Sequence, residues 1–319
     1  MFMNNKLKLS GIKENELMAG HTTFKIGGPA KFFYVAKTSN DLIEAIQAAQ
    51  GADLEYFILG NGSNVLVSDD GFDGLVIKVK NEEIKFDGNN VFCGAGMTAG
   101  RLLGLVAKQN LSGLEFMAGI PSTVGGAVCG NAGAFGRGFG EAVREVEIYQ
   151  DGKIFKLNQQ EMKYSYRESA LKRTNAVVLN VKLELKPGDR AKITEEIIKI
   201  AKDRAQKIPT EPSAGCIFKN IELNQITDLP KILKSLDITE EEFNRVAKFK
   251  LPISYILDRL DLKGKTIGGA QISKKLPNFI INLGNARAEH VLMLISDIKM
   301  RVRNEVGIQL QEEIVYAGF

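Results

Sequence analysis

Leu59-Gly60-Asn61-Gly62-Ser63-Asn64-Val65-Leu66 and Gly119-Ile120-Pro121-Ser122-Thr123-Val124-Gly125-Gly126, the second running on to Gly130-Asn131-Ala132-Gly133, are the stretches on which the reading of this chain turns. Each follows an apolar, strand-like segment. Each offers closely spaced backbone N–H groups with few side chains in the way, which is the chemistry of gripping a diphosphate. Two such turns point to one large dinucleotide held between them. Neither completes a familiar fingerprint: Val65 stands where Gly-x-Gly-x-x-Gly needs its third glycine, which weighs against a Rossmann domain. Gly264-Lys265-Thr266 imitates the end of a P-loop, but Arg259 occupies the position of that motif's first glycine.

Working outward from the first turn, the pattern predicts a strand over 31–36, a helix over 39–50 with Ser39 or Asn40 as N-cap, and strands over 55–59 and 74–79. Strands dominate from 82 to 185, over 91–93, 143–149, 153–157 and 176–185, interrupted by a helix over 98–110. The second glycine turn opens a short helix near Thr123, which brings a positive helix end to that turn. After the turn signal Lys186-Pro187-Gly188-Asp189, a charged helix over 190–206 connects to a last domain. That domain holds an amphipathic helix over 286–305, with Val291, Leu294, Ile295, Ile298 and Val302 on one face, and a closing strand over 308–316.

Composition narrows the function. The 319 residues carry 42 Lys and Arg against 38 acidic residues, and a dispersed net charge of +4 gives no footprint for nucleic acid. The first twenty residues mix Lys6, Lys8 and Lys13 with isolated apolar residues, unlike a secretory signal, and no later apolar run approaches the roughly 18 residues of a membrane span. Three scattered cysteines, Cys93, Cys129 and Cys216, argue against a disulfide framework and for a reducing, cytoplasmic setting. With only two histidines they offer no metal-ligand spacing.

Taken together, Thr22-Thr23-Phe24-Lys25-Ile26-Gly27-Gly28-Pro29-Ala30, the two glycine turns, Tyr166-Arg167-Glu168-Ser169, Ala214-Gly215-Cys216-Ile217-Phe218-Lys219-Asn220 and Ile267-Gly268-Gly269-Ala270 resemble, in that order and over nearly the whole chain, the UDP-N-acetylenolpyruvoylglucosamine reductase family. The resemblance implies an α+β chain with an FAD-binding fold of the vanillyl-alcohol oxidase type. Two α+β subdomains, 1–80 and 81–206, would hold the flavin, 207–307 would form an α+β substrate-binding domain, and the strand over 308–319 would return to the first subdomain. It implies non-covalent FAD, with its diphosphate against Gly60, Asn61, Gly62, Ser63 and Asn64 and against Gly119, Ile120, Pro121, Ser122, Thr123 and Gly126. It also implies a reaction of peptidoglycan synthesis, with the cell-shape and cell-division roles that follow. NADPH is the reductant, and UDP-N-acetylglucosamine enolpyruvate becomes UDP-N-acetylmuramate. A monomer is expected.

Hydride addition to an enolpyruvyl group leaves negative charge that an enzyme must stabilise before supplying a proton. The resemblance assigns these duties to Arg167, whose guanidinium fork suits a carboxylate, to Cys216 and to Glu313. Cys216 stands where many relatives carry a serine; a thiol is the stronger acid, with a reference pKa of about 8.5, and can deliver a proton in the same geometry. Leu310-Gln311-Glu312-Glu313-Ile314 replaces the family's Leu-Glu-Pro-Glu-Val, which maps the catalytic glutamate onto Glu313. Strand alternation would instead turn Glu312 inward with Leu310 and Ile314, so Glu312 is the rival. Tyr166, Lys207, Lys219 and Asn220 resemble substrate- or phosphate-holding positions, and His21 reads as local turn chemistry. The compact stretch between Arg167 and Cys216 resembles the shorter subtype of the family. Two other classes remain open at this point: an FAD-dependent oxidase of the same fold, and a nucleotide-sugar binder without catalysis.

Overall fold

The structure, a computed structural model, describes Leu7 and residues 9–319, so part of the N-terminal segment weighed above as a signal lies outside the described residues. Contacts divide the chain into two units. The first takes the described residues up to Glu16 with Ala30–Asn61 and Phe72–Gln206; the second takes Leu17–Pro29, Gly62–Gly71 and Lys207–Phe319.

The first unit contains two larger sheets and, among the described residues, two short two-stranded ones. In one of the larger sheets, the strands Lys13–Leu17, Pro29–Ala36, Phe72–Val79 and Tyr56–Leu59 lie in that order, the last three parallel to one another. Parallel neighbours need a crossover, and the helix Ser39–Gly51 supplies it. Its apolar residues Leu42, Ala45, Ile46 and Ala49 recur at helical spacing and are buried with Leu75 and Ile77 of the sheet. Each fully buried Leu or Ile contributes about 1.5–3 kcal/mol. The N-cap is Thr38 rather than Ser39 or Asn40: Thr38 is extended at φ −129°, so its hydroxyl accepts the Asp41 N–H at 3.0 Å while the Asp41 carboxylate takes the Thr38 N–H at 3.1 Å. The Ser39 hydroxyl is used elsewhere, accepting from the buried Asn81 side chain at 3.3 Å.

The other sheet is antiparallel, in the order Lys153–Asn158, Val143–Gln150, Val177–Glu184, Asn90–Gly94 and Ile84–Asp87. Val146, Val181 and Cys93 line up across three strands on its buried face. The helices Ala99–Lys108 and Val124–Gly130 add Leu102, Leu103, Val106, Ala127 and Val128 to the same apolar core.

In the second unit the strands Ser213–Cys216, Phe279–Asn282, Ala270–Ile272 and Thr266–Ile267 form an antiparallel sheet in that order. The helix Ala288–Arg301 buries Val291, Leu294, Ile295 and Ile298, and the stripe continues to Val302 in a single π turn, Val302–Val306. The expected closing strand over 308–316 is not continuous. Only Val315–Ala317 is a strand, parallel to Val65–Val67, and the β pairing of the residues before it is limited to one isolated bridge, Phe218 with Glu312. A single regular strand needs one partner ladder along the whole segment, and here two partners share it.

Asp69 ties the segment Gly62–Gly71 to the helix Ala288–Arg301. Its two carboxylate oxygens accept the N–H groups of Ala288 at 2.9 Å and Glu289 at 3.1 Å, capping the helix from 219 residues away. Asp69→Ala is therefore expected to lower stability by about 1 kcal/mol, as for the loss of other N-caps. Equilibrium unfolding in urea measures this, and an unchanged midpoint would contradict it.

Candidate functional site

In the first unit Gly60 and Asn61, the start of the first glycine turn, touch the second turn. The Asn61 side-chain amide donates to the Pro121 carbonyl at 2.9 Å, and a Cβ on Gly60 would lie 2.6 Å from the Thr123 hydroxyl, so the backbones approach as closely as they do only because position 60 has no side chain. The second turn follows a 3₁₀ turn, Glu115–Met117, rather than a strand. It does lead into a short helix, Val124–Gly130, capped by Thr123. That helix does not present a bare N-terminus, however. The N–H groups of Val124 and Gly125 donate to Met97 and Ala95 at 2.8 Å each, and that of Gly126 donates to the Thr123 hydroxyl at 3.3 Å. The unused donors sit before it: among the described residues the Thr123 amide has no protein acceptor, and the buried Ser122 hydroxyl has no partner.

The first turn behaves differently. Among the described residues none of the backbone N–H groups of Asn61, Gly62, Ser63 and Asn64 donates to the protein. Gly62 has φ +66°, and a Cβ there would stand 2.4 Å from the His21 carbonyl oxygen. His21 itself closes the 3₁₀ turn Met18–Gly20, its N–H donating to Met18 at 2.9 Å.

Arg167 lies on a tight turn of the first unit. Ser165 and Glu168 exchange two backbone hydrogen bonds at 3.2 Å, and Arg167, between them, adopts φ +57°. Its guanidinium lies 5.5 Å from the Tyr166 ring centroid and donates to the Gly133 carbonyl at 3.1 Å, while its own carbonyl accepts from Lys172 at 2.9 Å. The same turn is held from below by Asn131, whose side chain donates to the Ser165 carbonyl at 2.7 Å. Nearby, burial pushes the Cys129 thiol up to about 11 and raises the Tyr164 phenol as well, so neither ionises near neutrality.

The second unit gathers Ser63, Asn64, Cys216, Lys219, Asn220 and Glu313. Cys216 ends its strand after Gly215, and the next residues bridge to the C-terminal segment. The Glu313 N–H donates to the Ile217 carbonyl at 2.7 Å, and the Lys219 N–H donates to the Gln311 carbonyl at 2.9 Å. Asn64 joins the same group, its side chain donating to the Glu313 carbonyl at 3.0 Å and its carbonyl accepting from Val315 at 2.9 Å. The Asn220 side-chain oxygen accepts the Ile253 N–H at 3.2 Å, which gives it a structural duty. Lys207 ends the long helix Arg190–Lys207 and is exposed.

Sequence reasoning missed the residues that hold this arrangement. The buried Asn278 clasps Phe218 through both ends of its amide, accepting the Phe218 N–H at 3.0 Å and donating to the Phe218 carbonyl at 2.8 Å. Asn282, also buried, donates to Phe24 at 3.0 Å and accepts from Gly284 at 2.8 Å and Ala286 at 3.0 Å. The visible signal was two asparagines bracketing the apolar run Phe279-Ile280-Ile281, since buried amides persist only when their hydrogen bonds are made. The motif Ile267-Gly268-Gly269-Ala270 also has a structural origin. The His290 ring packs where a Gly268 Cβ would be, and its Nδ1 accepts the N–H groups of Gly269 at 3.2 Å and Arg287 at 3.1 Å.

Among the described residues no group of three or more Cys, His, Asp or Glu could hold a metal ion, and no helix is long and apolar enough to cross a membrane. The donors present suit FAD. Among the described residues, the unpaired amides of Asn61 and Thr123 and the buried, unpartnered Ser122 hydroxyl in the first unit, and the unpaired amides of Gly62, Ser63 and Asn64 in the second, are donors of the kind a diphosphate needs from a protein.

Comparison with known proteins agrees. Residues 30–158 match an FAD binding domain and residues 206–317 match the UDP-N-acetylenolpyruvoylglucosamine reductase, C-terminal domain. The chain is 36% identical over 312 residues to the UDP-N-acetylenolpyruvoylglucosamine reductase of Anoxybacillus flavithermus, covering 96% of this chain and 94% of that one. It is 33% identical over 323 residues to that of Clostridium tetani, covering 99% and 96%. The crystal structure of the reductase from Thermus caldophilus superposes with a TM-score of 0.73 at 31% identity, covering 94% of this chain and 97% of that one. The chain belongs to the UDP-N-acetylenolpyruvoylglucosamine reductase family and is an FAD-binding oxidoreductase of α+β fold.

Proposed function

We propose that this chain is a UDP-N-acetylmuramate dehydrogenase: it takes reducing equivalents from NADPH and passes them to UDP-N-acetylglucosamine enolpyruvate, in the cytoplasm, for peptidoglycan synthesis and the growth and division that depend on it. The observation that carries the reading is the bridge in the second unit that sets Glu313 beside Ile217 and Lys219 beside Gln311, fixing the Cys216 and Glu313 segments to one another. FAD, when bound, accepts a hydride from NADPH and supplies one to the vinyl carbon of the substrate.

The chain's own residues do the rest. Arg167 binds the substrate carboxylate and offsets the negative charge that develops next to it. Glu313 hydrogen-bonds at the same reacting group, and the Cys216 thiol delivers the proton that completes the product. Tyr166, Lys207, Lys219 and Asn220 hold the nucleotide or its phosphates. Gly60–Asn64 and Gly119–Thr123 with Gly126 hold the FAD diphosphate. We assign 1–80 and 81–206 to the two flavin-binding subdomains and 207–307 to substrate binding, in a monomer that needs neither membrane nor nucleic acid.

The test is anaerobic. NADPH is expected to bleach the flavin, and subsequent addition of the enolpyruvyl sugar nucleotide to restore its colour with one equivalent of UDP-N-acetylmuramate formed. Flavin that stays reduced until oxygen is admitted would refute the reading and favour an oxidase.

A further inference from the structure

Glu312 is one residue from the proposed catalytic glutamate, and both of its carboxylate oxygens are engaged. Oε1 accepts from the Lys299 ammonium at 2.6 Å, and Oε2 accepts from the Tyr316 hydroxyl at 2.5 Å. Lys299 comes from the last turn of the helix Ala288–Arg301, and Tyr316 from the strand Val315–Ala317. The carboxylate therefore ties its own segment to the helix before Glu313 and to the strand after it. The Glu312 side chain is only 20% exposed, so the pair with Lys299 is less screened than a pair on open surface. Burial, and then the hydrogen bond to Glu312, raise the Tyr316 phenol, so it keeps its proton and remains the donor.

The backbone repeats the pattern. Glu312 faces Phe218 across the bridge, and the two hydrogen bonds of that bridge are made by its neighbours, Glu313 to Ile217 and Lys219 to Gln311. Phe218 is fully buried and clasped by Asn278, so the far side of the bridge is fixed. The near side has no regular strand to hold it, because the segment before Val315 is irregular. At the bridge itself residues 311–313 pair as a short piece of extended chain, in which successive side chains leave on opposite sides. Anchoring residue 312 on one side thus fixes the direction in which residue 313 leaves on the other.

We propose that Glu312 is a positioning residue: its carboxylate, shared between Lys299 and Tyr316, sets where Glu313 meets the substrate. This rests on Glu313 being the catalytic glutamate, and it gives Glu312 no contact with the reacting atoms. Glu312→Ala frees the segment, and a displacement of about 1 Å at a reacting group can cost on the order of 100-fold. We expect Glu312→Ala to lower kcat of the sugar half-reaction roughly 10-fold or more, with flavin content and the rate of flavin reduction by NADPH unchanged. Lys299→Met combined with Tyr316→Phe leaves the glutamate in place and removes both its partners; it is expected to reproduce most of the same loss and to add little to Glu312→Ala.

Hydrogen–deuterium exchange supplies a readout independent of turnover. The amides of Glu313 and Lys219 should exchange faster in Glu312→Ala and in the Lys299→Met/Tyr316→Phe variant than in the parent. Parent-like exchange at those amides, or parent-like kcat in Glu312→Ala, overturns the proposal. So does a dead Glu312→Ala beside a fully active Lys299→Met/Tyr316→Phe variant, which would make Glu312 the acid itself. Glu313→Gln separates the two levels: full turnover there refutes the role of Glu313, whatever the exchange data say about the clamp.

Discussion

Cys216→Ala is expected to leave flavin reduction by NADPH intact and to slow formation of UDP-N-acetylmuramate by 10²- to 10⁴-fold, the range that a positioned general acid contributes. Cys216→Ser should retain substantial turnover, because a hydroxyl can occupy the same place and deliver a proton along the same path. Rapid mixing of the prereduced enzyme with the sugar nucleotide resolves the two half-reactions. Parent-like reoxidation in the alanine variant would remove Cys216 from the mechanism. The other two thiols do not confuse the result. Burial pushes Cys93 up to about 12 and Cys129 up to about 11, so neither forms appreciable thiolate near neutrality. A thiol also exposes the enzyme to oxidation, so peroxide should inactivate the parent faster than the Cys216→Ser variant.

Gly62→Ala is expected to cost the protein its flavin. At φ +66° an L side chain is strained by about 1–2 kcal/mol, and the new Cβ would stand 2.4 Å from the His21 carbonyl oxygen and 2.8 Å from the Thr22 Cα. Both are backbone atoms, which cannot swing aside as a flexible side chain would. Overpacking of this kind adds about 1–3 kcal/mol. The displaced turn carries the unpaired amides of Asn61, Gly62, Ser63 and Asn64, so the ratio of flavin to protein absorbance in the purified variant should fall sharply. Gly104→Ala is the control. It lies inside the helix Ala99–Lys108 with nothing within 4 Å of the new methyl, and it should stabilise by about 0.5–1 kcal/mol with flavin retained. A fully yellow Gly62→Ala protein would show that the turn does not hold the cofactor.

Much of the candidate site is legible in the sequence because its parts are local. A glycine-rich turn needs small residues in sequence, whatever surrounds it, so Gly60–Asn64 and Gly119–Thr123 stand out without a structure. Arg167 and Cys216 were legible only inside strings that resemble a family; as single residues, an arginine in a basic stretch and an isolated cysteine are unremarkable. The question between Glu312 and Glu313 could not be settled from alternation. Alternation presumes a continuous strand over 308–316, and that segment is paired only in fragments.

By itself the sequence determined what short-range physics controls: the helix Ser39–Gly51 from its 3.6-residue stripe, the strands Val143–Gln150 and Val177–Glu184 from their β-branched runs, and the buried face of Ala288–Arg301 from Val291 to Ile298. Tertiary structure alone decided which distant groups complete those elements. Asp69 caps a helix 219 residues later, Asn64 reaches Glu313 across 249, and Asn278 clasps Phe218 across 60. Hydrogen-bonding capacity is written into each of these side chains, but the choice of partner is not. It is made only when folding removes water from the groups and leaves each one the nearest unsatisfied donor or acceptor.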